Sequence, residues 1–197
     1  MKPREFVVEG PRVGLRAPRE ADREAWDALR RASGRFHTRW EPRVKPGPGV
    51  PRDAFDRFLK DANTSERERL LIVDRATGAL LGYVGLGNII RGPFQSAFIG
   101  YWIGKPFAGR GYMTEALGLM LRHSFVNLKL HRVEANIQPG NEPSKRTALA
   151  AGLRLEGYSP RYLKIAGVWA DHERYALTVE DWRASLRTRR GSGRLRA

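Results

Sequence analysis

"GKPFAGRGYMTEALGLML", Gly104–Leu121, sets three glycines within eight residues ahead of a long apolar-patterned run. Apolar residues follow at Met113, Ala116, Leu117, Met120, Leu121, Phe125 and Leu128, the three-and-four spacing of an amphipathic helix. Just before the glycines, "QSAFIGYWIG" (Gln95–Gly104) reads as a central strand. The glycines therefore occupy a strand-to-helix turn, where unpaired N–H groups and the positive end of the helix dipole face outward together. Lacking β-carbons, Gly109 and Gly111 let a phosphate approach those donors. Each charge so placed gains about 0.3–1 kcal/mol. The same glycines also suit a turn that needs them for backbone geometry alone, and both readings stand on these residues. Two familiar phosphate loops are excluded. A P-loop requires Gly-Lys-Ser/Thr, but Tyr112 follows Gly111; a dinucleotide fingerprint requires a third glycine where Thr114 stands.

Outward from this turn, the pattern is that of one mixed domain. Upstream, "LLIVDRATGALLGYVGLGNI" holds two apolar runs about Thr77 and Gly78, a hairpin. "RVGLRAP" (Arg12–Pro18) alternates as a short strand, and "PREADREAWDALRRAS" follows as a helix with acidic residues near its start. "DAFDRFLKDANTSERE" reads as a second helix. Between the two helices, His37 to Asp53 is so rich in proline and glycine that it must be a long loop, of the kind that is functional or disordered. Downstream come the strand "HRVEANIQ" (His131–Gln138), the short helix "NEPSKRTALAAG" stopped by Gly152, and further strands in "LRLEGYSPRYLKIAGVWADHERYALTVEDW". The basic tail "RTRRGSGRLRA" is apolar-poor and expected to fray. One domain over residues 1–186 with a flexible tail over 187–197 is the expectation.

Composition narrows the class. The 197 residues suit a single core. Thirty-six basic against twenty-one acidic side chains leave +15, which favours anionic surroundings: nucleic acid, ribosomal surfaces or phosphate-bearing ligands. No nucleic-acid recognition module is visible. Without cysteine there are no disulfides, no thiolate catalysis and no cysteine-ligated zinc, and no metal site is expected. No run approaches the ~18 apolar residues of a membrane span, and the N-terminus lacks a signal-peptide core. A cytoplasmic protein with no membrane partner is the expectation.

Three segments in order, "YWIGKPFAGRGYMTEAL", "HRVEANIQPGNEPSKRTALAAGLRLEGY" and "GVWADHERYALTVEDW", resemble the GCN5-related N-acetyltransferases, within them the ribosomal-protein-alanine (Rim) branch. The resemblance covers Tyr101–Trp182 most closely. It implies an α/β (α+β) fold: a mixed, mainly antiparallel twisted sheet, helices on both faces and a splayed central strand pair. It implies acetyl-CoA as cosubstrate, with the pyrophosphate on the backbone of Gly109, Arg110, Gly111, Tyr112, Met113 and Thr114. Pro106 stands where the family has Gln or Arg. The pantetheine would meet the backbone of Trp102 and Ile103 and the side chain of Asn141, with Ser144 near the leaving thiol. Ser144 is equally read as a residue of the helix N-terminus that satisfies backbone donors.

The resemblance further implies direct acetyl transfer to an amine, with a backbone N–H near Ile103 stabilising the oxyanion and Ser144 protonating the thiolate. The base is not evident. The family's acidic positions hold Asn136 and Arg161 here, and a tyrosine of some relatives is replaced by Ala148. Glu134, two residues before Asn136 on the same strand face, is the remaining candidate. Asp171 and His172 are read as shaping the acceptor wall or the fold, His123 as structural, and His37 as a residue that could meet substrate. An α-amine titrates near 7.7–8.0 and a lysine near 10.4, a gap worth about 3.4 kcal/mol. A site without a strong base suits the α-amine. The expected acceptor is therefore a protein N-terminus, ribosomal for preference, with possible ribosomal association. A small-molecule amine acetyltransferase and a non-catalytic basic binding module are the alternatives.

Overall fold

The computed structural model describes residues 6–41 and 53–193. Strand β4 (Arg67–Asp74) shows how the sheet divides the interior. Its Leu70 and Ile72 join one buried cluster, its Leu71 and Val73 another, as alternation along a strand requires. The first cluster is covered by α3 (Tyr112–Val126), whose Ala116, Leu117, Met120 and Leu121 are buried. The second is covered by α1 (Arg23–Ser33) and α2 (Ala54–Lys60). There the Trp26 ring centre lies 4.5 Å from Phe58 and 5.1 Å from Trp102. Helices thus clothe both faces, as expected.

The remaining strands are β1 (Val8–Glu9), β2 (Val13–Arg16), β3 (Asn63–Thr64), β5 (Leu80–Ile90), β6 (Ser96–Ile103), β7 (Arg132–Ile137), β8 (Arg154–Ile165) and β9 (Val168–Thr178). Their order across the sheet is β1-β2-β4-β5-β6-β7-β9-β8, with β3 paired to β4. Every pairing is antiparallel except β6 with β7. That parallel pair is joined through α3, the crossover a parallel connection needs. The other helices are α4 (Glu142–Ala150) and α5 (Val179–Gly193).

Two local expectations are corrected. The second helix ends at Lys60; Asn63 and Thr64 turn back as β3 onto Glu68 and Arg67, since Asn, Thr and Ser compete for backbone bonds outside helices. At the C-terminus, α5 continues to Gly193, into the tail expected to fray. Most of the proline-rich loop, residues 42–52, lies outside the described residues.

Helix α3 is fastened to β2 by a partly buried carboxylate. Glu115 Oε1 accepts from the N–H groups of Arg12 (2.9 Å) and Val13 (3.2 Å), and its Oε2 from Arg12 Nε (2.8 Å). Burial opposes ionisation, but these bonds outweigh it and hold the carboxyl below its usual range. Hydrogen bonds to a charged group contribute about 1.5–3 kcal/mol. Glu115→Gln is expected to lower the thermal midpoint by roughly 4–8 °C at pH 7, taking ~2 kcal/mol at 2–4 °C per kcal/mol. Because the folded carboxyl ionises more readily, this advantage is complete above the ordinary carboxylate range and fades as pH falls through the lowered value. Melting curves of both proteins at pH 7 and pH 3.5 should converge at the lower pH.

Candidate active site

Strands β6 and β7 pair only where Ser96, Ala97 and Phe98 face Arg132, Val133 and Glu134. Beyond Phe98 they part, earlier than the expected point near Ile103, and a cleft of about 1320 Å³ opens between them. The Gly104 N–H donates to Leu81 O at 2.7 Å. Alternation then turns the peptide groups of Trp102 toward β5 and those of Tyr101 and Ile103 toward the opening. A β-carbon on Gly82 would fall 2.2 Å from the Trp102 carbonyl. The Trp102 backbone, expected to meet pantetheine, is thus turned toward β5, while its buried indole joins the second core cluster and also lines the cleft. Ile103 stays at the opening, and its carbonyl accepts from His37 Nε2 at 2.7 Å.

His37 sits at the end of the turn after α1, buried, with its ring 5.1 Å from Trp102. Donation from Nε2 fixes that nitrogen as the protonated one. Burial holds the ring's pKa below its usual value. Two residues lining the cleft near it, Glu41 and Arg30, pair through both guanidinium nitrogens at 2.7 Å.

The glycine turn lies at the other side. Gly109 (φ +75°) and Gly111 (φ +78°) are left-handed. The first intrahelical bond of α3 runs from Glu115 N–H to Gly111 O at 3.1 Å. The N–H groups of Tyr112, Met113 and Thr114 precede it and have no intrahelical acceptor. Gly109, Gly111, Met113 and Thr114 line the cleft. The two glycines differ: a β-carbon at Gly109 meets open space, whereas one at Gly111 would stand 3.3 Å from Arg12 Nη2. Arg12 also donates from Nη1 to Arg110 O at 3.0 Å and covers the Tyr112 ring at 4.8 Å. The Arg110 and Tyr112 side chains are not among the cleft lining; Arg110 is exposed.

Asn141 and Ser144 open α4. Asn141 Oδ1 accepts from the Ser144 N–H at 3.4 Å, a helix cap. The Ser144 hydroxyl is turned elsewhere: Oγ donates to the Tyr101 phenol oxygen at 3.0 Å, and that phenol donates to Ser144 O at 3.1 Å. Asn141, Ser144 and Tyr101 all line the cleft. The cap and the site are thus built from the same residues.

Glu134 is not brought to the site. Its carboxylate accepts from Arg132 Nε at 2.8 Å and is absent from the cleft lining. Strand alternation is not the cause, since Asn136 on the same face does line the cleft. Pairing with Arg132, which also holds Glu156, keeps Glu134 where β6 and β7 are still joined. Asn136 Oδ1 is buried with no hydrogen-bond partner among the described residues. Two cleft-lining carboxylates, Glu41 and Asp61, are ion-paired to Arg30 and Arg67. Asp171 accepts from the Tyr158 hydroxyl and from Arg161 N, across the irregular register of β8 and β9. His172 lines the cleft, buried, bonded through Nδ1 to Ala170 O at 2.9 Å. His123 pairs with Glu68 at 3.0 Å beside the core, the structural role expected. Among the described residues no cluster of His, Cys, Asp or Glu could hold a metal, and no helix is long and apolar enough to cross a membrane.

The family model "Acetyltransferase (GNAT) domain" matches residues 12–154, and the chain belongs to that family, whose acetyltransferases use acetyl-CoA. The chain is 46% identical over 102 residues to the probable N-acetyltransferase YjcK of Bacillus subtilis, covering 52% of this chain and 56% of that protein. It is 38% identical over 103 residues to the Escherichia coli [ribosomal protein uS5]-alanine N-acetyltransferase, covering 52% and 53%. The chain thus spans about half the length of the curated relatives it matches. Among solved structures, Mycobacterium smegmatis RimJ in complex with CoA-disulfide superposes with TM-score 0.78 at 34% identity over 88% of each chain.

Two outcomes follow from this geometry. Gly109→Val would place side-chain atoms in the open space beside the N–H groups and strain a left-handed backbone (φ +75°), so Gly109→Ala, with the same backbone cost in kind but less bulk, is the control. Calorimetry should show acetyl-CoA affinity reduced at least tenfold, about 1.4 kcal/mol; unchanged affinity in the folded variant would mean that the glycine serves backbone geometry alone. Separately, burial lowers the pKa of both His37 and His172. An imidazole harder to protonate when folded leaves the unfolded chain binding more protons, so stability rises with pH. Denaturant unfolding should therefore show stability lost as pH falls from 7.5 to 5.5. His37→Gln, which keeps a donor for Ile103, should flatten that slope.

Proposed function

We propose that this protein transfers the acetyl group of acetyl-CoA to the N-terminal α-amine of a polypeptide, a ribosomal protein being the preferred acceptor. The parted strand pair, with Ile103 at its tip, Ser144 at one wall and the α3 N-terminus at its base, carries the reading. Such a cleft holds a thioester and an amine together, and orientation of that kind is worth several kcal/mol. Gly109, Gly111, Tyr112, Met113 and Thr114, with the Arg110 backbone, hold the pyrophosphate in this reading. Ile103 and Asn141 face the pantetheine arm. The relatives named for alanine N-acetylation of a ribosomal protein, together with RimJ, support the branch.

The acceptor class rests on two features. No free carboxylate lines the cleft among the described residues, since Glu41 and Asp61 are paired to arginine. An amine that is already substantially neutral near pH 7.5 needs the least help, and that is an α-amine. Next, Arg57, Lys60, Arg67 and Arg69 line the α2–β4 side of the cleft. Arg69 is half-buried there with no ion pair to a carboxylate among the described residues, and burial and the Arg67 charge lower its pKa. Such a wall attracts a polypeptide that carries acidic residues near its N-terminus and repels polycationic amines.

A panel of peptides and small amines, read by release of CoA thiol, tests this. Peptides with a free N-terminal alanine or serine should be acetylated, with kcat/KM at least tenfold higher when an acidic residue lies within the first few positions. N-terminally blocked, lysine-containing peptides and polyamines should react at least a hundredfold more slowly. Preference for the polyamines would favour the small-molecule reading.

A further inference from the structure

Ser144 cannot hand over its proton without replacing it, and its only partner for that exchange in the described residues is a phenol. Oγ lies 3.0 Å from the Tyr101 hydroxyl, which in turn lies 3.1 Å from Ser144 O. Tyr101 stands on β6 just beyond Phe98, the last residue paired to β7. Its side chain crosses the opening to the first turn of α4, and both residues line the cleft. An aliphatic hydroxyl is a much weaker acid than a phenol, so a serine acting alone is a poor source of protons for a thiolate.

Resting on the acetyltransferase reading above, we propose that Tyr101 is the proton source for the departing thiolate of CoA, with Ser144 as the bridge. Both oxygens can stay where they are, because hydroxyl hydrogens rotate. In the resting arrangement Ser144 donates to Tyr101 and Tyr101 donates to the Ser144 carbonyl. When the tetrahedral adduct collapses, the C–S bond breaks and sulfur takes its electron pair. The Oγ hydrogen then passes to sulfur and the phenol hydrogen passes to Oγ. The acceptor amine, having formed the C–N bond, releases one proton to water, and Tyr101 recovers one from water. Protons in and out balance, and no other reactant is needed.

Burial pushes the phenol up to about 12, against the lowering effect of the Ser144 hydroxyl. Tyr101 therefore stays protonated wherever an α-amine is reactive. The ionisable groups on the neighbouring elements are Glu142, Lys145 and Arg146 on α4 and Asp171, His172, Glu173, Arg174 and Tyr175 on β9; Tyr175 donates to Glu173 at 2.7 Å, and Lys145 pairs with Glu142 and Glu173. None of them is bonded to the Tyr101–Ser144 pair.

Tyr101→Phe keeps the ring and removes only the hydroxyl. With an acceptor peptide turned over by the unaltered protein, kcat should fall about 10²-fold or more, the low end for loss of an acid–base group. Affinity for acetyl-CoA by calorimetry should change less than threefold. Ser144→Ala should lose a similar factor, and the double variant should be no worse than the weaker single one, as members of one relay must be. The decisive arm uses the selenoester analogue of acetyl-CoA, whose selenol leaves without needing a proton. There the Tyr101→Phe loss should shrink at least tenfold. A loss that carries over unchanged to the selenoester, or single losses that multiply, would overturn the relay and leave Tyr101 a packing residue. Near-normal kcat in Tyr101→Phe would do the same. Failure of the unaltered protein to acetylate any amine is a separate result, and it would defeat the acetyltransferase reading itself.

Discussion

Beyond Phe98 strand β6 has a neighbour on one side only. Peptide groups withdrawn from water must find partners, and the free edge of β6 has to find them outside the sheet. His37 supplies one donor, to Ile103 O. The rest of that edge is the outward-facing peptide groups of Tyr101 and Ile103, which the proposed reading assigns to the amides of pantetheine. Parting therefore creates both the cleft and the polar edge that runs along it. A fully paired β6–β7 would have neither.

The parting is stable because its two sides are held independently. On one side Arg30 pairs with Glu41 and lies 5.2 Å over the Trp102 ring, while Trp26 meets Trp102 and Phe58. This aromatic cluster packs β5 and β6 onto α1 and α2 without any help from β7. On the other side β7 is zipped to β9 along its whole length, from Arg132 to Ile137. Helix α3 spans the two halves, and Glu115 fixes its N-terminus to β2. The anion-accepting end of the helix is consequently tied to the half of the sheet that carries β6, which keeps the turn and the edge in register.

Much of this was legible in the letters. The apolar spacing from Met113 to Leu128 and the glycines before it fixed the strand–turn–helix unit, and Asn141 and Ser144 opened a helix as read. What failed was whatever depended on partners distant in the chain. Glu134 and Asn136 share one strand face, and alternation treats them alike; only the local end of β6–β7 pairing separates a salt-bridged carboxylate from a cleft residue. Trp102 and Ile103 are adjacent, and the register of β6 on β5 decides which turns its backbone to the ligand. Tyr101 carried no signal as more than a strand aromatic, because its hydroxyl meets a helix 43 residues away.

Some relatives place a tyrosine in the helix where this chain has Ala148, which is fully buried in the main core. It lies in the same buried cluster as side chains of α3 and β7. A hydroxyl can still reach the start of α4 from the opposite wall, because the parted strand brings Tyr101 across the gap that α4 borders. The constraint that opens the cleft thus also decides from which element its polar groups can come. Helix α4 contributes the cap and the serine, β6 contributes the phenol, and the strand that separates from its neighbour is the one able to supply both the aligned edge and the acid.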